Sequence, residues 1–145
     1  MSTQAAPAAA ELSDLVLQLA GRLRAGFDAA ASDLGLRPAQ ALLLSRLSEP
    51  APMRALAAWL SCEPSNVTGI VDALERRGLV ARVPSTADRR VKHVALTGEG
   101  ERRRTELLAR SRSQAEALFA LSAADRTLLR ALLGRVLDAP ARPAP

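Results

Sequence analysis

The sequence predicts a mainly α-helical domain that carries a small two- to three-stranded β wing. Three observations predict it. Of 145 residues, 48% are hydrophobic but only 2% are aromatic, so Ala and Leu dominate the apolar count, and both favour helix. Apolar residues recur at helical spacing along most of the chain. In one place only, residues 79–96, the side-chain period changes from about 3.6 to 2. The length suffices for one domain with a real core.

The first ten residues, MSTQAAPAAA, lack the basic start and continuous apolar segment of a signal peptide and read as a disordered tail. From Glu11 the apolar residues Leu12, Leu15, Val16, Leu19, Leu23 and Phe27 share one helical face, and the helix ends near Gly35. Pro38 suits the first turn of a second helix running through Ala41, Leu42, Leu43, Leu44 and Leu47. SEPAP (48–52) breaks it. A short third helix turns Leu56, Ala57 and Leu60 inward. After the break Ser61-Cys62-Glu63-Pro64, a fourth helix starts with Pro64 in its first turn and Glu63 as a weak N-cap. Val67, Ile70, Val71 and Leu74 form its inner face; Ser65, Asn66, Thr68 and Gly69 lie toward the other side. Arg76-Arg77-Gly78 ends it, with positive charge where the helix dipole favours it and glycine at the C-terminal cap.

LVARV (79–83) and VKHVAL (91–96) read as strands joined by the turn-rich PSTADRR (84–90). Thr97 caps a long, Arg-rich fifth helix with Leu107, Leu108, Leu118 and Phe119, and Ser122 caps a sixth with Leu128, Leu129, Leu132, Leu133, Val136 and Leu137. A Pro/Ala tail from Pro140 is expected to fray. The apolar stripes of the outer helices exceed what a lone chain of this size would bury, so they need partners.

Net charge is +5, and nineteen of the twenty basic residues are arginine. Residues 54–104 hold ten basic and six acidic side chains, so the excess sits in the middle of the chain. A local basic patch suits a polyanion; a solvated surface in an Arg-rich chain accounts for the charge equally well. With one cysteine, Cys62, and one histidine, His93, neither an internal disulfide nor an all-protein zinc site is expected. No apolar run approaches membrane-spanning length, and a cytoplasmic protein is expected. No Gly-rich phosphate loop and no Ser/His/Asp constellation appears, so no catalytic residue, metal or cofactor is expected.

Two short helices joined by a tight turn and followed by a hairpin make a winged helix-turn-helix. The small hydrogen-bonding residues Ser65, Asn66, Thr68 and Gly69 at the start of its second helix suit direct readout in a DNA major groove. At the hairpin tip stand Asp88, Arg89 and Arg90. Arginine is drawn into a narrow, negative minor groove. On that reading Arg90 inserts, Arg89 makes a second groove or phosphate contact, and Asp88 holds the Arg90 guanidinium in place beforehand. Lys92 adds a basic contact on the second strand, and Asp72 pairs with Arg76 at i+4, holding that arginine toward DNA. An exposed hairpin whose charges only confer solubility is the competing reading. Trp59 reads as a core anchor, His93 as a surface strand residue or phosphate contact, and ERRR (101–104) as a solvated face with room for phosphate contacts. Cys62 reads as a half-buried turn residue, with redox sensing as the second reading.

The order Asp88-Arg89-Arg90, Leu96-Thr97, Gly100 resembles the wing signature of MarR-family transcriptional regulators. SNVTGIVDALERRGLVARV (65–83) resembles that family's recognition helix and first wing strand, and GLRPAQALLLSRL (35–47) its second helix. The resemblance runs over about residues 11–138. It implies a homodimer whose outer helices, 11–35 and 101–139, interlock, while a winged lobe at 36–100 reads a pseudo-palindromic double-stranded operator. It also implies repression relieved by an effector, often a small aromatic or phenolic anion, held near the first, second and fifth helices; Arg22 and Arg46 are candidate anion partners. Gly69 departs from the family, which often carries arginine after the threonine. A winged-helix module that docks a protein partner is the alternative function.

Overall fold

The computed structural model describes residues 8–139. The elements in order are α1 (Ala9–Asp33), α2 (Pro38–Arg46), β1 (Ala51–Pro52), α3 (Met53–Leu60), α4 (Pro64–Arg76), β2 (Val80–Pro84), β3 (Lys92–Leu96), α5 (Gly98–Leu118) and α6 (Ala123–Asp138). The expected tails at 1–7 and 140–145 lie outside the described residues. α1 starts at Ala9, two residues inside the tail expected over 1–10; alanine is the best helix former, so helix runs back through the pair Ala9-Ala10.

The two inner helix ends explain the sharp turns. α1 and α4 both close with a Schellman motif. Gly35 (φ 65°) and Gly78 (φ 71°) occupy the left-handed position. Leu36 N–H donates to Ala31 O at 2.9 Å and Leu79 N–H to Leu74 O at 3.0 Å, satisfying carbonyls the helix leaves free. The second motif sends the chain from α4 into β2 with Leu79 buried. Thr97 and Ser122 cap α5 and α6 as expected, accepting from Gly100 N–H and Asp125 N–H.

The sheet has the antiparallel order β1-β3-β2. Val80 faces Leu96 and Pro84 faces Lys92, while Ala51 of β1 faces Val94 on the other edge. The segment expected only to break the second helix therefore also supplies the third strand. Its proline sits on an edge, where a missing N–H costs no ladder bond. The core gathers Leu43, Leu44, Leu47, Leu56, Val67, Val71, Leu74, Val80, Val94 and Leu107 in one cluster, all fully buried. It lies under the helix-turn-helix and reaches the middle of α5. Trp59 packs at its margin and is only partly buried.

The outer helices contribute little to that core. α6 buries none of its residues, and Leu12, Leu15, Val16, Leu128, Leu132 and Val136 are all at least 45% exposed. Two apolar helix faces stand open on the single chain.

Candidate nucleic-acid interface

α4 is held by its inner face and open on its outer one. Val67, Val71 and Leu74 are fully buried. Ser65, Asn66, Thr68 and Gly69 are exposed. Positions 65 and 69, 65 and 68, and 66 and 69 are helical neighbours, so the four make one continuous patch. The Thr68 hydroxyl donates to Pro64 O at 3.1 Å. A Cβ built on Gly69 would meet no heavy atom within 4 Å. Arg76 is exposed at the far end of the helix.

The wing tip is built by backbone hydrogen bonds. Ser85 N–H donates to Val91 O at 2.8 Å, and Val91 N–H to Asp88 O at 3.0 Å, closing a turn with Arg89 and Arg90 at its two central positions. Two side chains brace it: Ser85 Oγ accepts from Ala87 N–H at 3.2 Å, and Asp88 Oδ1 from Arg90 N–H at 3.0 Å. Asp88 thus orients the backbone of Arg90 and not, as expected from the sequence, its guanidinium. An aspartate carboxylate is short and reaches the N–H two residues on more readily than a long side chain's end. Arg89 and Arg90 are exposed and join no ion pair among the described residues. Lys92 is exposed beside them on β3.

A second correction concerns Asp72. It pairs with Arg82 of β2 at 2.6 Å and not with Arg76. Glu75 also holds Arg82, accepting from both its guanidinium and its backbone N–H. The Asp72 hydrogen bond, with Glu75 beside it, raises the Arg82 pKa above its ordinary value. Asp72 and Glu75 stand three residues apart on the helix face that β2 approaches, so a strand arginine outcompetes a helix neighbour. The effect is to tie the wing to α4 as one unit.

Arg77 makes a matching tie on the other side. Its guanidinium donates to Gly35 O at 2.7 Å and to Leu34 O at 3.4 Å, joining the end of α4 to the end of α1. Sequence reading missed Arg77 and Arg82 as site residues. The only signals were Arg77 within a helix-ending basic pair and Arg82 in a strand with two acids one turn apart before it. The 101–104 run also divides. Arg102 and Arg103 pair with Glu99 on the surface, whereas Arg104 is partly buried and donates to Ser45 O at 3.2 Å, fastening α5 to α2.

Two concavities flank these elements. One of about 420 Å³ lies between α1 and α5, lined by Arg22, Leu23, Gly26, Gln114 and Leu118 among others. Arg46, the other anion partner expected, is exposed at the end of α2 and is not among its lining residues. The second, about 580 Å³, lies between the wing and the start of α3 and includes Arg54, Asp88, Lys92 and His93. Cys62 is a free, half-buried thiol in the turn before α4. Among the described residues no helix is long and apolar enough to cross a membrane.

The model of the MarR family matches residues 36–92, from the end of α1 to the start of β3. The crystal structure of a MarR-family transcriptional regulator from Rhodococcus sp. RHA1 superposes with a TM-score of 0.69 at 26% identity, covering 93% of this chain and 100% of that one. Over its winged lobe the chain is similar to the MarR family. A curated relative, the HTH-type transcriptional repressor MdtR of Bacillus subtilis (strain 168), is 38% identical over 77 residues. That match takes in 52% of this chain and half of the repressor's length. CouR from Rhodococcus jostii RHA1, solved bound to p-coumaroyl-CoA, is 28% identical with a TM-score of 0.70, covering 91% of this chain and 95% of that chain. The family model thus matches the winged lobe, while the structural neighbours cover more than nine tenths of the chain.

Proposed function

We propose that this MarR-like protein is a ligand-responsive repressor that binds a pseudo-palindromic DNA operator as a homodimer. One observation carries the reading: an exposed patch of small polar residues and an exposed arginine pair are mounted on one rigid unit by the Arg82 ties to α4. α4 enters the major groove with Ser65, Asn66, Thr68 and Gly69 toward the base edges. Arg90 and Arg89 enter the flanking minor groove, with Asp88 fixing the turn beneath them. Arg76 and Lys92 serve as phosphate contacts.

The dimer rests on the open apolar faces of α1 and α6. Leu128, Leu132 and Val136 follow helical spacing along α6 at 58%, 45% and 71% exposure, and a water-soluble regulator would cover such a stripe. A twofold partner, with residues 11–35 and 101–139 as the dimerisation region and 36–100 as the DNA-binding lobe, satisfies both chains with the same surface. The effector is an acidic aromatic or phenolic compound, and the cleft between α1 and α5 is its site. Arg22 supplies the cation, and Leu23 and Leu118 the apolar walls. CouR's p-coumaroyl-CoA is an aromatic acyl thioester of related chemistry. The protein works in the cytoplasm, with its DNA.

Fluorescence anisotropy on labelled duplexes from upstream of the protein's own gene tests the reading at two salt concentrations, beside a scrambled duplex. Tight binding that favours the native duplex and falls steeply with salt is expected. Equal, salt-insensitive binding to both duplexes would favour the protein-docking module instead.

A further inference from the structure

We infer that the recognition helix reads A·T pairs, with a thymine methyl seated in a notch formed by Thr68 and Gly69. The inference deepens the DNA-reading function and rests on it.

The exposed patch restricts what can be read. Guanine is read most often by arginine or lysine reaching O6 and N7 together, and cytosine by an acidic acceptor. None of Ser65, Asn66, Thr68 and Gly69 belongs to either class. Of the two acids that flank the patch, Asp72 is held by Arg82 and is not free to accept from a base, and Glu63 precedes the helix at its N-cap, outside the face that carries the patch's side chains. Arg76 lies two turns beyond Gly69, at the last position of the helix. What remains is one bidentate amide, Asn66, whose pattern matches adenine N6 and N7, and a surface with little bulk.

Gly69 gives that surface its shape. Two structural reasons for a glycine are missing there. Its backbone is helical with negative φ, since the described glycines with positive φ are Gly35 and Gly78. No neighbour would meet an added Cβ, whereas one on Gly100 would strike backbone. Glycine inside a helix also lowers stability relative to alanine. A residue that weakens its own helix and relieves no contact is accounted for by what approaches from outside. Thr68 is exposed with its hydroxyl proton committed to Pro64 O, and its methyl stands one residue along the helix from the bare backbone of Gly69. Together they offer a shallow apolar notch one methyl deep, and the C5-methyl of thymine is the apolar group a major groove displays.

Selection from a pool of duplexes with randomised half-sites, using purified full-length protein, tests this without knowing the operator. Enriched half-sites with A·T pairs at their central positions are expected. In the selected duplex, uracil for thymine at the notch position should weaken wild-type binding about fourfold, the burial value of one methyl group. Asn66→Ala should weaken it by about fivefold or more. Gly69→Ala should raise thermal stability yet weaken the thymine duplex, and should bind thymine and uracil duplexes alike. Enriched half-sites with central G·C pairs, or uracil binding as tightly as thymine in the wild type, would overturn the inference while leaving the DNA-reading function standing. No enrichment of any sequence would sink both.

Discussion

Gly100→Ala is expected to destabilise the protein, although the same change usually strengthens a helix. A Cβ on residue 100 would sit 1.9 Å from Leu79 O and 2.9 Å from Leu79 C, with Leu96 Cδ2 at 3.2 Å. The obstacle is backbone, so no side chain can swing aside. A carbon comes no closer to a carbonyl oxygen than about 3.3 Å, so the start of α5 must retreat by roughly 1.4 Å. That retreat pulls on the bonds that seat the wing. Leu79 O accepts from Thr97 N–H at 3.1 Å, and Gly78 O from the Thr97 hydroxyl at 2.5 Å. Overpacking costs ~1–3 kcal/mol and a strained hydrogen bond about 1, against a helix-propensity gain of at most ~1. The net is a loss of about 1–3 kcal/mol, or roughly 3–10 °C in Tm for a chain of this size. Gly69→Ala is the control, with open space around its Cβ and an expected gain of up to ~1 kcal/mol. Both variants and the wild type are melted by circular dichroism at one protein concentration, because the Tm of the proposed dimer would depend on concentration. If both alanines raise Tm alike, the close approach of α5 to Leu79 is wrong.

Arg90→Ala should lower operator affinity at least tenfold with Tm unchanged, and should reduce the slope of log K against log salt if Arg90 also meets a phosphate. Wild-type affinity in that variant would remove the wing from the interface. Arg82→Met breaks the ties to Asp72 and Glu75; with the arginine 30% exposed, the stability cost is held to ~1 kcal/mol. In an Arg82→Met background, Arg90→Ala should cost less affinity than in the wild type, a coupling that a double-mutant cycle reads directly. Leu132→Asp on α6 should convert the dimer to monomers in light scattering and abolish tight operator binding, and an unchanged molar mass would refute the dimer face.

The fold was largely legible because its signals are local. Pro64, Gly78, Thr97 and Ser122 punctuate the helices through their own backbone and capping chemistry, and the hairpin announces itself by period. β1 was not legible as a strand, since two residues ending in proline carry no alternation and are recruited by the edge of β3. The exposed candidates on α4 and the wing were legible from type and helical phase. The ties that orient them were not. Arg82 meets Asp72 ten residues back, and Arg77 meets Gly35 forty-two residues back. Such partners are chosen by three-dimensional packing. Helical spacing alone pointed Asp72 to Arg76, and only the path of β2 redirects it.

The Arg77 tie has a consequence for how operators are chosen. On the proposed reading, α1 belongs to the dimer and α4 to the DNA, so the link from Arg77 to Gly35 O at 2.7 Å and Leu34 O at 3.4 Å sets the angle between them. In a twofold dimer that angle fixes the separation of the two recognition helices. Inserting one base pair between half-sites shifts them by about 3.4 Å and rotates them by about 35°. A rigid dimer cannot follow both without losing contacts. The wild type should therefore discriminate strongly against the inserted operator. Arg77→Lys keeps the charge but not the fork that reaches two carbonyls at once. It should remain folded and dimeric, bind the natural spacing more weakly, and discriminate less between the two spacings. A variant that only weakened the fold would lose affinity for both operators in the same ratio. Equal discrimination in Arg77→Lys and the wild type would mean that packing of α4 on the core sets the angle, with Arg77 merely capping the end of α1. The same tie defines what an effector in the α1–α5 cleft must do. It must bind better to the arrangement in which α4 is misplaced, since only a difference in affinity between two states shifts their balance.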